Sequence, residues 1–428
     1  MAVIWQNILT FLQGVLRFIG DPITILNQWL TGVLSGWGAN ATLIQVILAI
    51  LGGASLVLGG LFFTVFLIWL ERKVGGRFQD RLGPNRVGPW GLFQPLADMV
   101  KIFTKEYITP TGADKIPYNL APVLSVGAVL AVIAVIPFAS TIFGVNINVG
   151  VVYLMAVGAI GELGIIMAGL GSNNKYALIA GFRAVANLIS YEVPMVLVLL
   201  IPVMFSGSLG MNDIARSQNV WYIFLAPLSA AIFFIASIAE NSRAPFDLIE
   251  ADSELVAGFN VEYSGLKFGM FYVADFLHSA TAALIFATLF LGGWRGPGAE
   301  SIPILGFIYL SVKATVVYFL ILHIRFTVPR FRIDQMMNFN WKFLTPLALV
   351  VLAATAVVDK AIPSNLTALR IGVNWIVNIA IWVAADRLVR VVAPKRVVPE
   401  VARPRPLARP PLANPPQAAA EHEPGGEA

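Results

Sequence analysis

Residues 43–70, LIQVILAILGGASLVLGGLFFTVFLIWL, contain no charged residue, and the next three, Glu71, Arg72 and Lys73, are all charged. A hydrocarbon slab about 30 Å thick is crossed by about 20 apolar residues in a helix. This stretch therefore reads as a transmembrane helix that ends abruptly at an aqueous boundary. Further apolar blocks follow near 119–143, 149–171, 176–205, 221–239, 268–292, 303–325, 343–358 and 371–392. Over the whole chain of 428 residues, 57% are hydrophobic and only 12% are charged, which is more apolar surface than a soluble core can bury. The expected class is an all-α polytopic membrane protein. Strands of about 10 residues with alternating polarity, the mark of an outer-membrane barrel, are missing.

The chain has no cysteine, which excludes disulfides, thiolate metal sites and cysteine-ligated iron–sulfur clusters within it. Any electron carrier belongs to a partner or diffuses in. No metal site is expected. The N-terminus carries no basic region ahead of its apolar stretch, so no cleavable signal is expected. The pI near 9.4 suggests nucleic acid only superficially, because the basic residues collect at helix ends and in the tail, where they set membrane orientation.

Counting Lys and Arg between spans gives that orientation. Segment 71–117 holds Arg72, Lys73, Arg77, Arg81, Arg86, Lys101, Lys105 and Lys115, and segment 325–342 holds Arg325, Arg330, Arg332 and Lys342. The loop 239–267 and the tail fall on the same side. The opposite side has Arg216, Arg295, Lys360 and Arg370. The positive-inside rule makes the first set cytoplasmic. Residues 1–40 suit a helix in the interface, with Trp5, Phe11, Leu12, Val15, Phe18 and Ile19 on one face. Residues 394–428, rich in Pro, Ala and charge, are expected to be a disordered tail.

The cytoplasmic stretch AENSRAPFDLIEADSELVAGFNVEYSG, residues 239–265, sets Glu240, Asp247, Glu250, Asp252, Glu254 and Glu262 against one Arg243. Carboxylates this dense beside a bilayer are expensive to desolvate and mark proton or ion handling, unless the loop is simply solvated. If 247–254 is helical, Asp247, Glu250 and Glu254 share a face, where repulsion favours holding a proton.

Residues 71–106, ERKVGGRFQDRLGPNRVGPWGLFQPLADMVKIFTKE, combine turns at Gly83-Pro84 and Gly88-Pro89 with a helical repeat of Leu92, Phe93, Leu96, Met99, Val100 and Phe103. This predicts a structured loop and an amphipathic helix. Glu71, Arg72 and Asp98 then sit where span meets loop, placed to pair and line a cavity. Within or at the ends of spans lie Glu162, Glu192, Glu240, Glu262 and Asp275. Glu192 is the sharpest candidate. It is mid-span, two residues before Pro194, where a freed carbonyl can admit water. Its alternative is a structural pair with Arg183 or another buried cation. Lys313, also mid-span, is expected to pair with an acidic neighbour.

Four stretches carry a resemblance: 71–106 above, SNNKYALIAGFRAVANLISYEVP, RAPFDLIEADSELVAGFNVEYSGLKFG and VPRFRIDQMMNFNWKFLTPLAL. In this order they resemble the complex I subunit 1 family, the H subunits of bacterial respiratory complex I, the proton-pumping NADH:quinone oxidoreductase. The likeness runs over roughly residues 45–358. It implies an eight-helix core at 41–358 that helps close a quinone chamber through loops 71–117, 239–267 and 325–342. Residues 359–393 are then an additional transmembrane helix. The resemblance further implies that Arg72, Arg81, Asp98, Phe246 and Arg325 line the chamber for ubiquinone or menaquinone. Glu192, Asp247, Glu250, Asp252, Glu254, Glu262 and Asp275 would form a carboxylate path for protons. The implied partners are the iron–sulfur and quinone-site subunits of the peripheral arm, which hold clusters and flavin, and the antiporter-like membrane subunits. The implied place is a bacterial inner membrane.

Asp252 and Asp275 stand where the family usually has Glu, which keeps the charge and shortens its reach by one methylene. Two other readings stay open. One is the membrane subunit of an energy-converting hydrogenase or of a relative fed by another donor. The other is a free-standing proton or sodium transporter, disfavoured by the long structured loops and the lack of inverted repeats.

Overall fold

In the computed structural model, residues 21–38, 40–247, 256–363 and 366–392 are described. Among them the secondary structure is helical throughout, with no strand. We number the helices α1 (Pro22–Gly36), α2 (Ala41–Phe78), α3 (Gln94–Thr104), α4 (Lys115–Ile133), α5 (Gly150–Gly171), α6 (Lys175–Ser206), α7 (Met211–Ser217), α8 (Tyr222–Leu225), α9 (Pro227–Glu240), α10 (Gly265–Phe290), α11 (Pro303–Thr327), α12 (Ile333–Phe339), α13 (Thr345–Ala361) and α14 (Thr367–Val392). A π-turn, Asn340–Leu344, joins α12 to α13 without a break in the helix path. Eight helices among the described residues are long and apolar enough to cross a membrane.

The chain is a membrane protein. Its core is made where spans bury faces against one another. α4 packs most extensively on α5, α6 holds α5, α9 and α13, and α10 packs on α4 and α11. Most of the apolar stretch of α10 is buried, whereas that of α2 is largely exposed, with only Ile44, Thr64 and Leu67 buried along residues 43–70. A helix apolar all round is what a lipid-facing span needs, since lipid tails accept any face.

Three expectations are corrected. The block at 221–239 is not one span: it breaks between α8 and α9, because Pro227 has no amide hydrogen to continue the ladder. α9, 14 residues long, rises about 21 Å, less than a hydrocarbon core. The first span does not stop at residue 70 but continues to Phe78, carrying Glu71, Arg72 and Lys73 on helix rather than loop. Lys313 has no acidic partner among the described residues. Its Nζ donates to Gly293 O at 2.9 Å and Arg295 O at 3.0 Å, over the Trp221 ring.

Of the N-terminal segment, α1 is described and none of its residues is buried. The apolar face of residues 5–19 and the tail from 394 lie outside the described residues. Contacts divide the chain after Ala385. In the second unit Arg390 Nη2 and Asp386 Oδ2 pair at 2.8 Å.

Candidate functional site

The site begins with the loop after α2. Lys73 Nζ donates to Pro84 O at 2.9 Å, and Arg81 N donates to Gly76 O at 2.9 Å. These bonds fold the Gly83-Pro84 turn back onto the helix. The approach is backbone to backbone: a Cβ on Gly83 would lie 2.9 Å from Arg72 O, so glycine is required there. Gly91, with φ +75, closes the next turn against Pro84 and launches α3. The predicted amphipathic helix is thus present, and its Asp98 pairs with Arg72 and, at 3.6 Å, with Lys101.

Together α2, this loop and α3 form a cleft of about 600 Å³, lined by Glu71, Arg72, Gln79, Arg81, Gln94 and Phe326 among others. Arg81 Nε donates to Gln79 Oε1 at 2.6 Å. Four of the expected chamber residues therefore fall at or beside the cleft and the network behind it: Arg72, Arg81, Asp98 and Arg325. Phe246 does not. It is buried between the rings of Tyr191 and Phe331, at 5.3 and 5.7 Å.

Behind the cleft, Glu71 is nearly buried and receives three donors. They are Arg243 Nη1 at 2.7 Å, Tyr318 OH at 3.3 Å, and Arg325 Nη1. Arg243 Nη2 also donates to Asp275 Oδ2 at 3.0 Å, and its guanidinium lies 5.2 Å from the Phe276 ring centre. Burial works against the Arg243 charge, but Asp275 and Glu71 more than offset it, so its pKa rises above the usual value. Arginine suits the position because one rigid fork serves two carboxylates.

Beyond this network is a second cavity of about 150 Å³, lined by Glu162, Glu240, Arg243, Asp247, Asp275, His278 and Arg325 with apolar neighbours. Glu71 faces the cleft while Arg243 and Arg325 line the cavity, so the ion network forms a charged wall between the two. Glu162 and Glu240 lie within electrostatic reach of Glu192 on α6. Asp247 accepts from Arg330 Nη2 at 2.6 Å.

Glu262 is not among the cavity residues. Its Oε1 accepts from Asn174 Nδ2 at 2.7 Å, and Asn174 in turn caps α6 through Tyr176 N. Glu250, Asp252 and Glu254, including the shared face expected of 247–254, lie outside the described residues. Sequence reasoning passed over His278, although its place three residues after Asp275 puts both on one helix face. It also gave Arg243 no role beyond that of the lone cation among the acids.

The chain that carries this cleft and this cavity has relatives of similar sequence. The family described as NADH dehydrogenase matches residues 52–356. A relative from Dehalococcoides mccartyi is 46% identical over 311 residues, covering 73% of this chain and 87% of its own. One from Carboxydothermus hydrogenoformans is 45% identical over 307 residues, 71% and 86% respectively. One from Anoxybacillus flavithermus is 43% identical over 314 residues, 72% and 93%. All three are named as the H subunit of NADH-quinone oxidoreductase.

The chain belongs to the H-subunit family of NADH-quinone oxidoreductase. It is a membrane subunit of complex I and works with the other subunits of that complex. This family supplies part of an oxidoreductase, and the chain by itself lacks a complete redox site. The family match takes in both cavities and the ion network, and ends before α14.

Proposed function

We propose that this subunit forms part of the quinone chamber of complex I and the first stretch of a carboxylate path coupling quinone reduction to proton pumping. The observation that carries the reading is the Glu71–Arg243–Asp275 network, which stands between the cleft and the acid-lined cavity. A cleft of about 600 Å³ lies within the ~300–1,000 Å³ range of small-molecule sites. Its guanidinium groups suit a polar head, and the exposed apolar side chains of α3, Met99, Val100 and Phe103, suit an isoprenoid tail. Arg72, Arg81, Asp98 and Arg325 guide the head group, with Phe246 as packing behind them. Ubiquinone or menaquinone is the substrate.

Because this chain has no cysteine, electrons reach the quinone from iron–sulfur clusters in peripheral-arm subunits, and flavin belongs to partners too. A change of charge in the cleft acts on the Glu71 network electrostatically. The network then shifts the proton affinity of Asp275, Glu240 and Glu162 across the wall, and through them of Glu192. Asp247, Glu250, Asp252 and Glu254 form the cytoplasmic approach to this path, and Glu262 belongs to it through the start of α6. Antiporter-like subunits receive the signal. The core is residues 41–358, with 1–40, 359–393 and the tail 394–428 as additions. The membrane is the bacterial inner membrane, with the charged loops and tail cytoplasmic.

The test is Glu192→Gln in the intact complex. Quinone reduction and proton translocation should both slow while assembly is retained. Normal turnover in the assembled variant would overturn the path.

A further inference from the structure

Pro194 lies inside α6, two residues after Glu192. Without an amide hydrogen it leaves Ser190 O with no i→i−4 donor. Ser190 is itself buried, and a buried carbonyl left in this way is stabilised by another donor. Asn340 is that donor. It is fully buried, and its Nδ2 donates to Ser190 O at 2.5 Å. Trp341 Nε1 reaches Ser190 Oγ at 3.3 Å, and the Tyr191 hydroxyl donates back to Met336 O at 3.1 Å. Asn340 and Trp341 both belong to the π-turn, an irregularity that often marks function. Pro202, farther along α6, likewise frees Val198 O, yet no side-chain donor among the described residues reaches it. Within α6 the cap falls on the turn that carries Glu192.

We propose that Asn340 is a positioning residue for Glu192: by capping the carbonyl that Pro194 frees, it holds the opened turn of α6 in one conformation and sets where the Glu192 carboxylate lies relative to Glu162 and Glu240. This rests on the reading of Glu192 as a member of the carboxylate path. The same device occurs once more, since Pro122 inside α4 frees Tyr118 O and the Tyr263 hydroxyl donates to it at 3.1 Å. In the Asn340 case the π-turn of one span and the broken turn of another are locked together directly before an ionisable side chain.

The test is a double-mutant cycle in the complete, assembled complex. Asn340→Leu keeps the volume and removes the donor. Pro194→Ala restores an amide that can bond Ser190 O from within the helix. Asn340→Leu alone should slow NADH:quinone reductase and proton translocation per assembled complex by about tenfold, the scale expected when a reacting group is misplaced by less than 1 Å, and should shift the pH profile of turnover. In the Pro194→Ala background the same substitution should have little further effect. The proposal is overturned if Asn340→Leu turns over normally while Glu192→Gln is slow, or if its effect is undiminished beside Pro194→Ala. Normal turnover in Glu192→Gln would instead remove the path reading beneath it, so the two failures are told apart.

Discussion

Glu71 and Arg243 are 172 positions apart in the chain and meet at 2.7 Å with both side chains almost wholly out of solvent. Neither charge is cheap to bury. What makes the pair tolerable is saturation: Glu71 accepts from Arg243, Arg325 and Tyr318, and Arg243 also serves Asp275. Removing one member strands the rest. Arg243→Met should therefore destabilise the subunit by about 3–5 kcal/mol, read as a lower thermal midpoint and less assembled complex. Arg243→Lys should recover only part of this, because an ammonium cannot present a fork to two carboxylates. A wild-type midpoint in Arg243→Met would show that the network is no anchor.

The Arg72–Asp98 pair is expected to behave differently. The Arg72 side chain is 42% exposed, and pairs this open contribute only about 0–1 kcal/mol. Asp98→Asn should leave the thermal midpoint nearly unchanged while raising the KM for quinone more than it lowers kcat. Equal effects on both parameters would count against a place beside the head group.

Gly83→Ala tests the folding of the loop onto α2. Its Cβ would meet Arg72 O at 2.9 Å and Lys73 Cα at 3.0 Å, both on a helix that cannot yield easily. We expect a loss of about 1–3 kcal/mol, the usual range for overpacking, together with weaker quinone binding as Arg72 and Arg81 move. Pro84→Ala, which leaves in place the residue-84 backbone carbonyl that accepts from Lys73 Nζ, should be milder in both assays.

Tyr263 gives a pH dependence with a definite sign. Burial, reinforced by Tyr118, pushes its phenol above the ordinary 10.0. The folded state thus holds the proton more tightly than the unfolded one. The stability Tyr263 contributes is complete below that ordinary pKa and is lost as pH rises above it. Tyr263→Phe should flatten the alkaline limb of a midpoint-against-pH curve. At neutral pH it should lower the midpoint by the equivalent of about 1–3 kcal/mol, since Tyr118 O loses its donor.

Beyond the family match, α14 is joined to the core by polar contacts. Arg370 pairs with Asp359 over the Phe205 ring, Asn374 and Asn378 are buried, and Trp375 Nε1 donates to Phe224 O at 2.9 Å, beside the break between α8 and α9. Trp375→Phe should cost about 0.5–1.5 kcal/mol, the net value of an ordinary hydrogen bond. The check is the thermal midpoint of the purified complex, and no change would mean that the break needs no support from α14.

Much of the fold was legible because it is a local property. The spans follow from composition over about 20 residues, and the amphipathic α3 follows from its own repeat. The broken span at Pro227 was misread because hydropathy averages across a proline that backbone bonding does not forgive. Glu71, Arg72 and Asp98 could be named as paired charges at a boundary, but not their partners.

The sequence by itself determined an all-helical membrane chain without thiolates, and it singled out Glu192 and the acids of 239–265, because burying charge in lipid is costly wherever it occurs. Only the tertiary structure decided that Glu71 meets Arg243, that His278 shares a cavity with Glu162, and that Asn340 caps the carbonyl freed by Pro194. A hydrogen bond or ion pair depends on separations of about 3 Å in space, and residues more than a hundred positions apart leave no local trace of such a meeting.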